Sequence, residues 1–177
     1  MTEILQRSSA AQRWLAIAMD PEMVNRPERI ETDAVGRLMM SPQPDFLHRK
    51  QALKISNLLD GHLGSEGSVQ EQAIETSDGT KVADVVWLTE EQEHALNANK
   101  NLPLNPAPPI CIEISSPTIS LSELEHKREL YFEAGAKEVW ICDRKGQLRF
   151  FLPSGEISKS ILVPPFPKQI TIGRLSS

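Results

Sequence analysis

Residues 109–143 constrain the fold more than any other stretch, because they read strand, helix, strand in one short segment. Pro109–Ser115 (PICIEIS) alternates Ile110, Ile112 and Ile114 with Cys111, Glu113 and Ser115, which is the two-residue period of a strand. Ser120–Ala134 opens on a capping box, Ser120-x-x-Glu123, and Gly135 follows where a helix end favours left-handed backbone. Glu138–Asp143 (EVWICD) is a second apolar strand. Two strands joined through a helix lie parallel in one sheet, linked by a right-handed crossover.

The remaining segments add antiparallel partners. Val69–Glu75 and Val82–Leu88 flank the turn Thr76-Ser77-Asp78-Gly79-Thr80, and Gln147–Leu152 and Ile157–Val163 alternate around Pro153-Ser154-Gly155. Residues 28–40 predict two short strands around a turn. Residues 8–19 predict a short helix with a serine cap, and Asp45 to Leu63 a longer one that aligns His48, Ala52, Ile55 and Leu59 on one face. Residues 89–108, polar and proline-punctuated, predict a short helix and then a surface loop, an insertion that could act as a lid. The fold class expected is α/β (α+β): a mixed central sheet flanked by helices, with added N-terminal and C-terminal β-hairpins.

At 177 residues and 40 % hydrophobic content the chain can bury one core, so a single domain at 28–177 is expected, with 1–27 as a helical extension. The formal charge of −5 excludes a broadly basic surface, so any recognition of a polyanion needs a local site. Cys111 and Cys142 lie in apolar runs and read as buried thiols of a reducing compartment. No run approaches the roughly 18 apolar residues of a membrane span, and the first residues lack a signal-peptide pattern. A soluble, cytoplasmic protein with no membrane partner is the expectation.

Three charged residues sit where packing alone would not place them. Asp84 interrupts the apolar run VADVVWL, and Glu113 the run ICIEIS; a buried carboxylate needs a cation, hydrogen bonds or solvent at its face. On the helix of 120–134, the apolar arc runs through Leu130, Ala134, Tyr131, Leu124 and Leu121, and Lys127 falls inside it. Structural roles are open for each: Asp84 as a strand cap, Glu113 in a lone buried ion pair, Lys127 with its stem along the core edge. Their joint placement favours one site, because the strand of Glu113 leads directly into the helix of Lys127.

These residues carry a resemblance. Val82-Ala83-Asp84-Val85-Val86, Ile112-Glu113-Ile114-Ser115-Ser116-Pro117-Thr118, Lys127-x-x-x-Tyr131 and Gly135-Ala136-Lys137-Glu138-Val139-Trp140-Ile141-Cys142-Asp143 resemble the Uma-type family of restriction endonucleases, within the PD-(D/E)XK superfamily. Arg29-Ile30-Glu31, Gly36–Pro42 and His48 resemble its N-terminal elements. The likeness spans about residues 28–170. It implies a restriction endonuclease-like core, with Asp84 and Glu113 as metal-binding carboxylates and the Ile114 backbone carbonyl as a further ligand. It implies catalytic roles for Asp84, Glu113 and Lys127, the lysine having moved to the helix from the superfamily position, here Ser115. Glu31, His48 and Ser115 are additional candidates, His48 having a packed, hydrogen-bonded role as its alternative. Ala83 stands where the motif proline is expected.

Hard carboxylate oxygens suit Mg²⁺ or Mn²⁺. The expectation is therefore a metal-dependent endonuclease acting on nucleic acid, DNA in particular, and working as a homodimer. In that chemistry Lys127 positions water or offsets charge on the phosphate, and burial beside a metal cation would lower its pKa towards that of a base. The alternative is a catalytically silent nuclease fold that binds DNA or protein. A further possibility is that Val163-Pro164-Pro165-Phe166-Pro167 packs on a partner in a homodimer.

Overall fold

The computed structural model describes residues 9–65 and 67–173. The chain runs α1 (Ser9–Ala18), α2 (Pro21–Val24), β1 (Arg29–Thr32), β2 (Leu38–Ser41), α3 (Phe46–Leu63), β3 (Ser68–Thr76), β4 (Gly79–Trp87), α4 (Glu90–Ala98), β5 (Ile110–Ile114), α5 (Leu121–Glu133), β6 (Glu138–Cys142), β7 (Leu148–Leu152) and β8 (Gly155–Ile157). The serine cap expected at Ser8 lies outside the described residues. Strands β3 to β8 form one sheet in chain order, antiparallel at each neighbour except the β5–β6 pair, which is parallel and joined through α5. Strands β1 and β2 form a separate antiparallel ribbon, and Trp14 of α1 donates from its indole to the Ile30 carbonyl at 3.0 Å.

Strand alternation divides the core between the two faces of the sheet. Ile110, Ile112 and Ile114 pack with Ala52, Ile55 and Leu59 of α3 on one face, together with Trp140 and Phe150. Cys111 packs on the other face with Tyr131 of α5, Val86 and Val139. Glu113 shares the parity of Cys111, and so faces α5. That helix has the expected capping box at Ser120 and Glu123, and buries Leu124, Lys127, Leu130 and Tyr131. Leu121, expected in the same arc, is exposed. No helix of the described residues is long and apolar enough to cross a membrane.

Four segments differ from expectation. The strand expected at Ile157–Val163 ends at Ile157, because the buried Glu138 carboxylate captures the next backbone donors: Ile161 N–H at 2.7 Å and Leu162 N–H at 2.8 Å, with the Ser160 hydroxyl at 2.7 Å. The proline-rich stretch beyond it inserts Val163 and Phe166 into this chain's own core, with Phe166 4.7 Å from the Trp140 ring, so those two side chains are not free for a partner. Residues 99–108 are not simply a surface loop: Leu104 and Ala107 are buried on the α5 face, and Leu104 bridges to Ile74.

The β3–β4 turn is tighter than expected, with only Ser77 and Asp78 between the strands. Gly79 has φ 82°, and a β-carbon there would stand 2.3 Å from the Asp33 carbonyl oxygen. Glycine lets the β1–β2 loop close against this turn, which places Asp78 at the cleft.

Candidate active site

The site lies where two strands part. β4 and β5 are paired at Trp87–Ile110, Val86–Cys111 and Val85–Ile112, and there the ladder stops; the next positions are Asp84 and Glu113. Beyond that point β4 continues beside β3, and β5 beside β6. Asp84 Oδ2 accepts the Ile114 N–H at 2.6 Å, a side-chain substitute for the lost ladder bond. The fork opens into a cleft of about 230 Å³ lined by Arg29, Glu31, His48, Glu113 and Lys127, with Met39 and Met40 of β2 on its wall.

Each carboxylate is held by specific partners. Asp84 is 1 % exposed; the Arg29 guanidinium bonds its Oδ1, and His48 Nε2 lies 3.2 Å from its Oδ2. Glu113, also 1 % exposed, takes the Tyr131 hydroxyl at 2.6 Å and the Lys127 ammonium at 2.9 Å, both on Oε1. Lys127 also donates to the Val82 carbonyl at 2.8 Å and to Glu31 Oε1 at 3.0 Å. Glu31 in turn accepts the Val82 N–H at 2.8 Å. Thus Asp84, Glu113, Lys127, Glu31 and His48 converge. Ser115 does not line the cleft; its N–H bonds the Cys142 carbonyl, and Ser116 takes the cleft position instead. None of residues 89–108 lines it either, so that insertion packs on the sheet and does not cover the site.

The charges do not balance. With Glu113 ionised and His48 neutral, Asp84, Glu113 and Glu31 face Arg29 and Lys127, an excess of one carboxylate before the half-exposed Glu71 on the far side of Arg29 is counted. Burial, followed by the negative charge of Asp84, pushes the Glu113 carboxyl up to about 7 against the pull of Lys127. Burial would also raise Asp84, but Arg29, His48 and Lys127 outweigh it and hold this carboxyl well below the ordinary range. For Lys127 the expected lowering is tied to a neighbouring metal cation, and the protein's own groups act in the other direction. Burial disfavours its charge, but Glu113 and Glu31 more than compensate and keep the ammonium protonated. Burial and Glu113 raise the Tyr131 phenol well above its usual value, so it remains a donor. Both cysteines are free, and burial raises both thiols, Cys142 to about 12.

Arg29, Glu71 and Tyr131 are the site residues that sequence reasoning left without a role. Tyr131 follows Lys127 by four residues, on the same helix face, and Arg29 precedes Glu31 by two, on the same strand face. Either spacing could have found them. Glu71 had no such signal.

A divalent cation suits the donor set in two respects. Glu113 Oε2 is a buried hard oxygen with no hydrogen-bond partner, and the cluster carries an excess of negative charge. Among the described residues no three His, Cys, Asp or Glu side chains form a ready metal cluster, and Arg29 stands on Asp84 Oδ1. The residues fit the ion once that oxygen is released.

A mixed six-stranded sheet flanked by helices, with acidic residues at the fork of two strands, defines a restriction endonuclease-like fold. The family model described as "Uma2: Putative restriction endonuclease" matches residues 15–171, and the chain belongs to that family. A crystal structure of "a putative nuclease belonging to DUF820 from Anabaena variabilis ATCC 29413" superposes with a TM-score of 0.60 over 76 % of this chain and 79 % of that one. At 18 % identity that likeness concerns the fold. No curated protein matches the chain.

Proposed function

We propose that this chain is a metal-dependent endonuclease that hydrolyses phosphodiester bonds of nucleic acid, DNA in particular, with Asp84 and Glu113 holding Mg²⁺ or Mn²⁺. The observation that carries the reading is Glu113 Oε2, a buried carboxylate oxygen left bare beside Asp84 in a cleft with surplus negative charge. Such an ion, when bound, polarises a phosphate and lowers the pKa of a coordinated water. The Ile114 carbonyl, next to Glu113 on the cleft wall, is the proposed third protein ligand.

The protein's own groups divide the remaining work. Lys127, held protonated by its carboxylate neighbours, stabilises negative charge developing on the phosphate oxygens. Glu31 and the Val82 carbonyl fix its ammonium, and Tyr131 fixes Glu113. His48 orients Asp84 from the α3 side. Nucleic acid approaches along α3, which carries Arg49, Lys50 and Lys54 and no carboxylate from Phe46 to Leu59. By contrast, α4 presents Glu90 and Glu91 to solvent and α5 presents Glu129 and Glu133, while Glu123 lines the cleft itself. Local cations beside the cleft supply the attraction that a net charge of −5 does not.

One observation favours a second reading, a catalytically silent fold that binds DNA or protein: Arg29 already neutralises Asp84. End-labelled DNA and RNA incubated with Mg²⁺ or Mn²⁺ separate the two. The enzyme reading predicts cation-dependent cleavage that disappears in Asp84→Ala and in Glu113→Ala. Cleavage absent in wild type at every cation concentration while nucleic acid still binds favours the silent reading, and cleavage retained in both variants overturns the roles given to Asp84 and Glu113.

A further inference from the structure

Strand β3 keeps one register with β4, but the ladder is interrupted at one position. Ser68–Gln70 pair with Trp87–Val85, and Gln72–Thr76 with Ala83–Gly79. Glu71, which that register sets against Asp84, is skipped. Its φ of 57° is the only positive value at a non-glycine position among the described residues. Left-handed backbone is disfavoured for a residue bearing a β-carbon, and such conformations gather at functional sites. The neighbouring contact gives this one a use. Arg29 Nε donates to Glu71 Oε2 at 3.1 Å, and Arg29 Nη2 to Glu71 Oε1 at 2.5 Å, while the same Nη2 bonds Asp84.

We propose that Arg29 is a resident counter-ion which a divalent cation must displace from Asp84, and that Glu71 is the seat that retains it. The proposal rests on the cation site described above. Two of the three bonds to Arg29's carboxylate partners go to Glu71, in the two-pronged geometry that guanidinium and carboxylate favour. Releasing Asp84 breaks only the third. The arginine then keeps its partner, and Asp84 Oδ1 becomes available at the position across the fork from Glu113, whose Oε2 has no partner. Room for the movement exists, because Arg29 and Glu71 also line a second cleft of about 300 Å³. The device keeps buried Asp84 compensated without metal and makes cation affinity depend on how firmly Glu71 holds the arginine.

Calorimetric titration with Mn²⁺ of wild type, Arg29→Gln and Glu71→Gln tests this, with folding followed by circular dichroism. Arg29→Gln removes the competitor and should bind Mn²⁺ about tenfold more tightly or better. Glu71→Gln leaves the arginine with Asp84 as its sole anionic partner and should bind several-fold more weakly. Opposite shifts are the expected signature. Binding by Arg29→Gln alone is its extreme form. An Arg29→Gln protein that binds no more tightly than wild type, or two variants that shift the same way, overturns the proposal. If Arg29→Gln does not fold, Glu71→Gln decides, since Glu71 is half exposed: weaker binding supports the seat, and unchanged or tighter binding overturns it. Folded wild type and Arg29→Gln that both fail to bind Mn²⁺ would remove the cation site itself. Wild-type binding without the two shifts removes only the arginine exchange.

Discussion

At pH 8 the Glu113 carboxylate is a fully buried charge, and replacing it with glutamine should stabilise the fold. In the folded chain its carboxyl is pushed up to about 7 from an ordinary value of 4.5, chiefly by burial and then by the charge of Asp84. Between those values the folded state holds a proton that the unfolded chain has lost, so stability falls as pH rises through the window. At about 1.4 kcal/mol per pH unit, the loss from 4.5 to about 7 comes to about 3 kcal/mol. Below pH 5 protonated Glu113 and glutamine are nearly isosteric and both neutral, so Glu113→Gln should match wild type there. By pH 8 the variant should be more stable by about 3 kcal/mol. Asp84 does not confound this comparison, because its depressed carboxyl titrates below the window in both proteins. Urea unfolding in EDTA at pH 5, 6, 7 and 8, followed by tryptophan fluorescence, reads the difference. A difference that stays flat across that range, or favours wild type at pH 8, refutes the argument that Glu113 is kept at a cost to stability.

Lys127→Met should lower single-turnover cleavage by about 10²-fold or more, because the methionine fills the space without offering charge to the phosphate; an unchanged rate would remove the lysine from the chemistry. Lys50→Ala and Lys54→Ala should each weaken duplex binding and reduce the slope of log affinity against log salt by about one, read by fluorescence anisotropy in Ca²⁺. Identical slopes in wild type and variants would put the nucleic acid elsewhere. Phe166→Ala should cost about 3 kcal/mol in urea unfolding, since the ring is buried against Trp140. A cost near zero would detach the C-terminal segment from the core.

What could be read from sequence was local and periodic. The parallel β5–β6 pair followed from two apolar strands joined through a capped helix, and Lys127 drew notice because it falls inside that helix's apolar arc. Asp84 and Glu113 stood out because they are charges in apolar strands. The fork that brings them together was not legible, since where β4 stops pairing with β5 depends on long-range register. The pull of Glu31 on the Lys127 ammonium was not legible for a related reason: that carboxylate reaches it from a different sheet. Glu71 lies between Gln70 and Gln72, a run that suggests only an exposed strand, and its left-handed backbone is marked by no glycine. The alternating residues 157–163 imitate a strand, but buried Glu138 takes the N–H groups a ladder would need.

Anomalous diffraction from a crystal soaked in Mn²⁺ tests the central claim most directly. The account predicts one strong peak in the fork, bonded to a carboxylate oxygen of Asp84 and to Glu113 Oε2, with Arg29 withdrawn onto Glu71. A saturating soak that leaves the fork without a peak and the Arg29–Asp84 pair intact would contradict it.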